Sequence, residues 1–496
     1  MKLNIRIDGH AGQGPNALAK VLGSVLAKQG YYVFISRDYG SYIRGGHNAN
    51  VLTLSDSQIM SNDLEADIAI FLEKNIEIKE PRKLKDNCRI IDSAVEKNMY
   101  FAGRLVKMLG LDFRILENEL KKLKNFDVNL RDAKKGYADA KTEFALRSLK
   151  NKLEFMDGGV GIAEGAIASG LDVYFAYPMT PATSVMGELA ERQLENNHIV
   201  IELEGEIAAI NAAIGSAITG AKAMTGSSGG GFDLMTEALS FIGQAEVPLV
   251  IYLAQRVGPG TGAATYTEQA DLNLALNAGH GEFPRIVLAP GDPLECQELT
   301  SQAFYFSQKY RVPALILSDK HLAESLYTIK NKPVITKSQK CISLKRFNSY
   351  NHDESGTAAD NAPAIAKSAE SRIKKAEEIK KEARKFKPFK LYGKSGSKNL
   401  VLFWGSTKGA VLDACKDIDV KALQILYMEP FPEEIKSELL KAKNLLIVEN
   451  NSTSQLAQLI ASKTCIHINK ENKILKYNGR PFLTDELRME IEKRIR

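Results

Sequence analysis

The chain has only five cysteines in 496 residues, Cys88, Cys296, Cys341, Cys415 and Cys465, and no Cys-x-x-Cys pair. That spacing excludes an iron–sulfur cluster or structural zinc held by closely spaced thiolates. Cysteines so few and scattered fit a reducing compartment, and a cytoplasmic location is expected. Long hydrophobic runs are missing too: the longest span about eight residues against the ~20 that cross a bilayer, so no membrane span is expected. The amino terminus carries Arg6 and Asp8 in an alternating pattern, not an apolar signal core. A distributed basic surface is also absent. From Arg372 to Lys390 nine Lys or Arg stand against three Glu, an excess equal to the +6 net charge of the whole chain. The rest is therefore neutral, which argues against a nucleic-acid surface, and the run reads as a solvated helix with pairs such as Glu377 and Lys381.

At this length, with 44% hydrophobic residues, about three domains with substantial cores are expected. The composition divides the chain into residues 1–145, 150–330, a basic linker over 331–395, and 396–496. In the first block Leu3–Ile7 alternates like a strand, Gly9-His10-Ala11-Gly12-Gln13-Gly14 forms a turn, and Leu18, Val21, Leu22, Val25 and Leu26 mark a helical stripe. A dinucleotide-binding unit is one reading, with Asp38 as the ribose acid, but the spacing is Gly-x-x-Gly-x-Gly and not Gly-x-Gly-x-x-Gly. The last block repeats strand, turn and helix from Asn399–Trp404 into Gly405-Ser406-Thr407, continuing through Tyr427-Met428-Glu429 and Leu445–Glu449.

In the central block, Asp172–Ala176, Ile199–Leu203 and Val247–Ala254 are apolar and β-branched, as strands buried on both faces of a parallel sheet should be. Each is followed by a distinctive segment: Tyr177-Pro178-Met179-Thr180-Pro181, Glu204-Gly205-Glu206, and Arg256-Val257-Gly258-Pro259-Gly260. Loops at the carboxyl ends of parallel strands gather along one edge, so a hydroxyl, a carboxylate and a guanidinium can face one ligand. Guanidinium pairs bidentately with carboxylate, which suits a 2-oxoacid. Glu206 is the candidate to hydrogen-bond the aminopyrimidine of thiamine diphosphate, with Glu204 its rival. Between them and Arg256, the turn Gly226-Ser227-Ser228-Gly229-Gly230-Gly231 enters a helix and reads either as a phosphate cradle or as tight packing.

These motifs resemble those of the 2-oxoacid:ferredoxin oxidoreductases, in the form where a γ domain is fused ahead of the α domain, and the resemblance covers nearly all of the chain. It implies three α/β domains with mainly parallel sheets: a γ domain, a thiamine-type pyrimidine-binding domain and a transketolase C-terminal-like domain. By resemblance Thr180 and Arg256 bind the 2-oxoacid, Glu206 is the catalytic residue toward thiamine, and Tyr177 and Pro178 line the thiamine side. The first turn, with Arg44-Gly45-Gly46-His47, resembles the γ-domain glycine segments, and implies coenzyme A near Gly12, Gln13, Gly14, Arg44 and Gly46; His47 is expected to be packed or exposed, not catalytic. No Gly-Asp-Gly with a downstream Asn is present, so the resemblance assigns the diphosphate, Mg2+ and a [4Fe–4S] cluster to a β subunit, with no metal on this chain. Ferredoxin takes the electrons, and the assembly is expected to be a dimer of αβ units. The activity implied is coenzyme A-dependent oxidative decarboxylation of a 2-oxoacid, 2-oxoglutarate being favoured, with the physiological direction open. The basic run is a lesser candidate for docking an acidic ferredoxin. A nicotinamide dehydrogenase and a non-catalytic scaffold derived from the family stand as alternatives.

Overall fold

A computed structural model describes residues 1–40, 46–73, 83–93, 96–342 and 346–495. They form two compact units. The first comprises Met1–Asp157, Glu324–Lys332 and Phe482–Met489; the second Gly158–Ala323, Pro333–Pro481 and Glu490–Arg496.

The first unit is built on a seven-stranded sheet in the order Lys83–Asp92, Glu65–Phe71, Lys2–His10, His47–Ser55, Tyr32–Tyr39, Leu326–Ile329, Glu154–Asp157. Helix Pro15–Lys28 buries on it the stripe Leu18, Val21, Leu22, Val25 and Leu26, each side chain contributing about 1.5–3 kcal/mol by leaving water. This sheet is mixed. Lys2–His10 runs parallel to Glu65–Phe71, and Glu65–Phe71 to Lys83–Asp92, but the other four pairings are antiparallel. The reason is local: residues 40–46 alone join Tyr32–Tyr39 to His47–Ser55, and a parallel crossover takes a dozen residues or more. The segment read from sequence as closing the central block also falls elsewhere. Leu326–Ile329 is a strand of this first sheet, where Thr328 Oγ1 accepts from Val33 N at 2.9 Å and Tyr327 stacks edge-on against Phe34 at 4.9 Å.

The second unit holds two sheets. One has the order Tyr427–Glu429, Ile286–Leu288, Pro313–Asp319, Leu249–Gln255, Ala223–Ser227, Val173–Ala176, Ile199–Glu202, parallel throughout except for its first pair. Leu249–Gln255 and Pro313–Asp319 are buried along their whole length, which explains their apolar runs Leu249–Ala254 and Pro313–Leu317. The three anticipated strands lie in this sheet, within a residue or two of their expected bounds. The other sheet, Phe389–Gly393, Lys421–Ile425, Asn399–Trp404, Asn444–Glu449, Lys473–Leu475, is parallel after its first pair.

A buried charge network joins helix Pro293–Tyr310 to this smaller sheet. Glu295 receives Lys390 Nζ at 2.8 Å, Lys408 Nζ at 2.6 Å and Gln424 Nε2 at 2.7 Å, and Lys408 also pairs with Asp292. Burial alone would raise the Glu295 carboxyl, but the two ammonium groups win and hold it at about 2. The basic run forms helix Ala362–Ala383, with Ile379, Glu382 and Ala383 buried. Two of its cations pair outward, Lys375 with Glu246 and Lys380 with Glu433 at 2.7 Å, while Lys385 pairs back along the run with Glu382 at 2.8 Å. Among the described residues Glu377 and Lys381 make no ion pair, so that expectation is replaced by tethering of the helix to its own unit. No described helix is long and apolar enough to cross a membrane.

Candidate functional site

Because Val173–Ala176, Ile199–Glu202, Ala223–Ser227 and Leu249–Gln255 are mutually parallel neighbours, the loops that follow them share one sheet edge. Glu206 opens helix Glu206–Ile218 directly after the second of these strands and is buried, whereas Glu204 is exposed. Glu206 Oε1 is buried and makes no hydrogen bond with any described residue. The glycine-rich turn explains how a carboxylate fits there. A Cβ on Gly231 would overlap Glu206 Oε1 and Ser227 Oγ and come within 2.8 Å of Glu206 Cγ; one on Gly229 would lie 2.6 Å from Asp271 Oδ2. Glycine at these positions makes room for side chains, the packing reading of the turn. Ser227 Oγ in turn donates to Met179 Sδ at 3.7 Å, joining this turn to the Tyr-Pro-Met-Thr-Pro loop.

Arg256 follows the fourth strand. Its Nη1 donates to the Thr180 carbonyl oxygen at 2.7 Å, and its Nε is buried without a partner among the described residues. The contact runs to the main chain of Thr180, not to the hydroxyl anticipated as its co-donor. Burial pushes the guanidinium down from its ordinary value, opposed by Glu206 and then Asp271. Arg256 lines a cleft of 300 Å³ with Gly229, Gly230, Asp233, Val257, Gly258, Pro259, Gly260, Asp271 and Leu274. Glu206 and Thr180 are not in its walls; Glu206 packs against Gly231, next in sequence to Gly230, and Thr180 holds Arg256. Tyr177 is exposed and Pro178 half-buried on the same loop as Thr180.

Asp271 escapes a reading of the sequence. It stands just before the apolar start of helix Leu272–Asn277, where an aspartate signals a cap, yet its side chain makes no cap hydrogen bond. Burial first, then Glu268 and Asp233, push its carboxyl up to about 6 against the pull of Arg256. Glu268, three residues earlier, is itself raised by burial and accepts from Gly258 N at 3.4 Å. The paired acids after the arginine loop are the only trace of this in the sequence.

In the first unit, Gly12 and Gly14 have φ of 94° and 79°, a left-handed conformation that glycine adopts freely. Added Cβ atoms at Gly12 and Gly46 would meet nothing within 4 Å, and Ala11 N donates to Gly46 O at 2.9 Å. The turn and the Gly46 segment are thus brought together with open backbone. Gln13 is engaged internally: Oε1 accepts from His10 N at 2.7 Å and Nε2 donates to Glu73 at 3.1 Å. Arg44 lies outside the described residues. His47 Nε2 sits 2.8 Å from the buried Asp8, which Arg6 grips through Nε and Nη2 at 2.5 and 2.9 Å.

Residues 164–387 match the family described as pyruvate flavodoxin/ferredoxin oxidoreductase, thiamine diphosphate-binding, and residues 4–92 the family described as pyruvate ferredoxin/flavodoxin oxidoreductase. The 2-oxoacid:ferredoxin oxidoreductase subunit alpha of a Sulfolobus species is 30% identical, with 98% of this chain and 96% of that one aligned. A 2-oxoglutarate synthase subunit KorA of Methanocaldococcus jannaschii is 31% identical over 60% of this chain and 89% of its own. The structure of 2-oxoglutarate:ferredoxin oxidoreductase from Magnetococcus marinus, with 2-oxoglutarate, coenzyme A and succinyl-CoA bound, superposes with a TM-score of 0.87 at 23% identity, covering all of both chains, and so shares the fold. With near-complete alignment at that identity, and family matches in both units, the chain belongs to the 2-oxoacid:ferredoxin oxidoreductase α subunits.

Proposed function

We propose that this chain supplies the substrate-facing half of an enzyme that oxidatively decarboxylates a 2-oxoacid, 2-oxoglutarate being favoured, to acyl-CoA, CO2 and reduced ferredoxin. The observation that carries the reading is the buried Glu206 Oε1, without a partner among the described residues, beside a glycine that leaves it room. A thiamine aminopyrimidine fits that acceptor: a carboxylate hydrogen-bonded to the ring nitrogen favours the imino form. Thiamine diphosphate, when bound, supplies the carbanion that adds to the keto carbon and the electron sink that makes loss of CO2 feasible. Glu206 holds the proton at the ring nitrogen. Arg256 offers Nε to the substrate carboxylate while Nη1 remains anchored to Thr180 O, and the Thr180 hydroxyl completes the clamp. Tyr177 and Pro178 would line the thiamine side.

Coenzyme A is assigned to the open backbone at Gly12 and Gly46 together with Gly14 and Arg44, and Gln13 to shaping that turn. The diphosphate, Mg2+ and [4Fe–4S] cluster belong to a β subunit, since this chain has neither a Gly-Asp-Gly segment nor clustered cysteines. We place the complex in the cytoplasm, as a dimer of αβ units donating electrons to ferredoxin. The dinucleotide reading finds no support in the first sheet, where the strand bearing Asp38 pairs antiparallel on both sides, unlike the parallel units of dinucleotide folds. The test is reconstitution with a β subunit: the complex reduces ferredoxin with 2-oxoglutarate and coenzyme A. Full activity from this chain alone overturns the divided site.

A further inference from the structure

Two half-satisfied charged groups face one cleft. Arg256 has a buried Nε with no partner among the described residues, and Asp271 has a half-buried carboxylate that accepts no hydrogen bond from any of them. An aspartate at a helix start ordinarily turns back to accept a backbone N–H. Here the carboxylate lies instead against Gly229, where any Cβ would stand 2.6 Å from Oδ2. That position forgoes a cap in order to put the acid in the wall that holds Arg256.

We propose that Asp271 is the proton-linked counter-ion of Arg256: ionised when no anion is bound, and neutral when the carboxylate of a 2-oxoacid pairs with the guanidinium. This rests on the assignment of Arg256 to the substrate. The groups acting on Asp271 are Arg256, which favours its charge, and Glu268 and Asp233, which oppose it; Glu206 reaches it through the shared arginine. An arriving carboxylate adds a further negative charge and neutralises the one cation that kept Asp271 ionised. In a cleft of 300 Å³, partly screened from water, two anions beside one guanidinium are less stable than one anion and one acid. Substrate binding therefore takes up a proton. The free carboxyl titrates at about 6, so at lower pH the acid is already neutral and binding needs no proton. Above that value affinity falls about ten-fold per pH unit, until the higher value of the occupied site is reached.

The test uses the assembled αβ complex with thiamine diphosphate and two unreactive isosteres, oxamate for pyruvate and N-oxalylglycine for 2-oxoglutarate. Calorimetry in buffers of different ionisation enthalpy is expected to show uptake of about one proton per site at about pH 7.5. In Asp271→Asn uptake disappears, binding above pH 6 tightens about ten-fold, and its pH dependence flattens. The same variant loses the fall of kcat/KM above pH 6, the change appearing in KM and not in kcat. Glu268→Gln keeps the proton uptake. If the isosteres bind, and Arg256→Lys weakens them, but no proton is taken up or Asp271→Asn leaves the pH dependence intact, the inference is overturned and the substrate assignment stands. If Arg256→Lys leaves binding unchanged, or neither isostere binds, both fall together.

Discussion

Arg256 reaches across to the main chain of Thr180, its Nη1 lying 2.7 Å from the carbonyl oxygen. The arginine is thus fixed by the loop after Val173–Ala176 before any substrate arrives. A lysine would keep the charge but has neither the planar fork nor a second donor fixed in the same geometry. In Arg256→Lys, losing one charged hydrogen bond is expected to cost about 1.5–3 kcal/mol, or roughly ten- to hundred-fold in kcat/KM. Steady-state kinetics on the assembled complex checks this; an unchanged kcat/KM removes Arg256 from the site.

Glu206 is buried and Glu204 exposed, so on the proposed assignment only Glu206 meets the cofactor. Glu206→Gln is expected to slow exchange of the thiazolium C2 proton and suppress turnover while the fold survives. Glu204→Gln is expected to leave exchange near wild type. Quenched-flow deuterium exchange read by NMR decides between them, and the reverse pattern would put the assignment two residues out.

Gly231 touches Glu206 with no space for a methyl group. Gly231→Ala is expected to lower stability by about 1–3 kcal/mol through overpacking and to displace Glu206, so that thiamine diphosphate affinity drops with the global fold retained. Thermal unfolding together with cofactor titration measures both; full affinity would show that the turn can yield.

The network around Glu295 predicts an acid limit to stability. Its folded value, about 2, lies below the 4.5 of an ordinary glutamate, so the unfolded chain binds the proton first. The contribution is complete above about pH 4.5 and is lost as the pH falls toward 2. Lys408→Met leaves Glu295 short of one buried partner and is expected to cost about 3–5 kcal/mol. Urea unfolding across this range shows whether the acid sensitivity is weakened in Glu295→Gln.

In the parallel sheet of the second unit, Val173–Ala176 and Leu249–Gln255 were readable because they are buried and mostly apolar, and the gathering of the loops at the carboxyl ends then followed from topology. Thr180, Glu206 and Arg256 stand on loops at one edge for that reason. Asp271 was hidden because an aspartate ahead of an apolar helix start already has an ordinary explanation, and only the direction of its side chain refutes it. The glycines after Ser228 announced close approach but not whose side chains approached. The strand Leu326–Ile329 reaches the first sheet by pairing across nearly 300 residues, which no local pattern encodes. Likewise the basic run advertised pairs along itself; Lys385 with Glu382 is one, but Lys375 and Lys380 reach Glu246 and Glu433, far away in the chain.

Tyr427–Glu429 joins the larger sheet antiparallel to Ile286–Leu288, although the rest of its sequence neighbourhood builds the smaller one. A chain cut before residue 427 would keep every residue assigned to substrate and thiamine, yet would bare the backbone of Ile286–Leu288 as a raw sheet border. Unpaired borders of this kind recruit other chains. Removal of the carboxy-terminal block is therefore expected to yield insoluble aggregates rather than a minimal thiamine-binding fragment, which makes the last seventy residues a solubility element as well as a structural one.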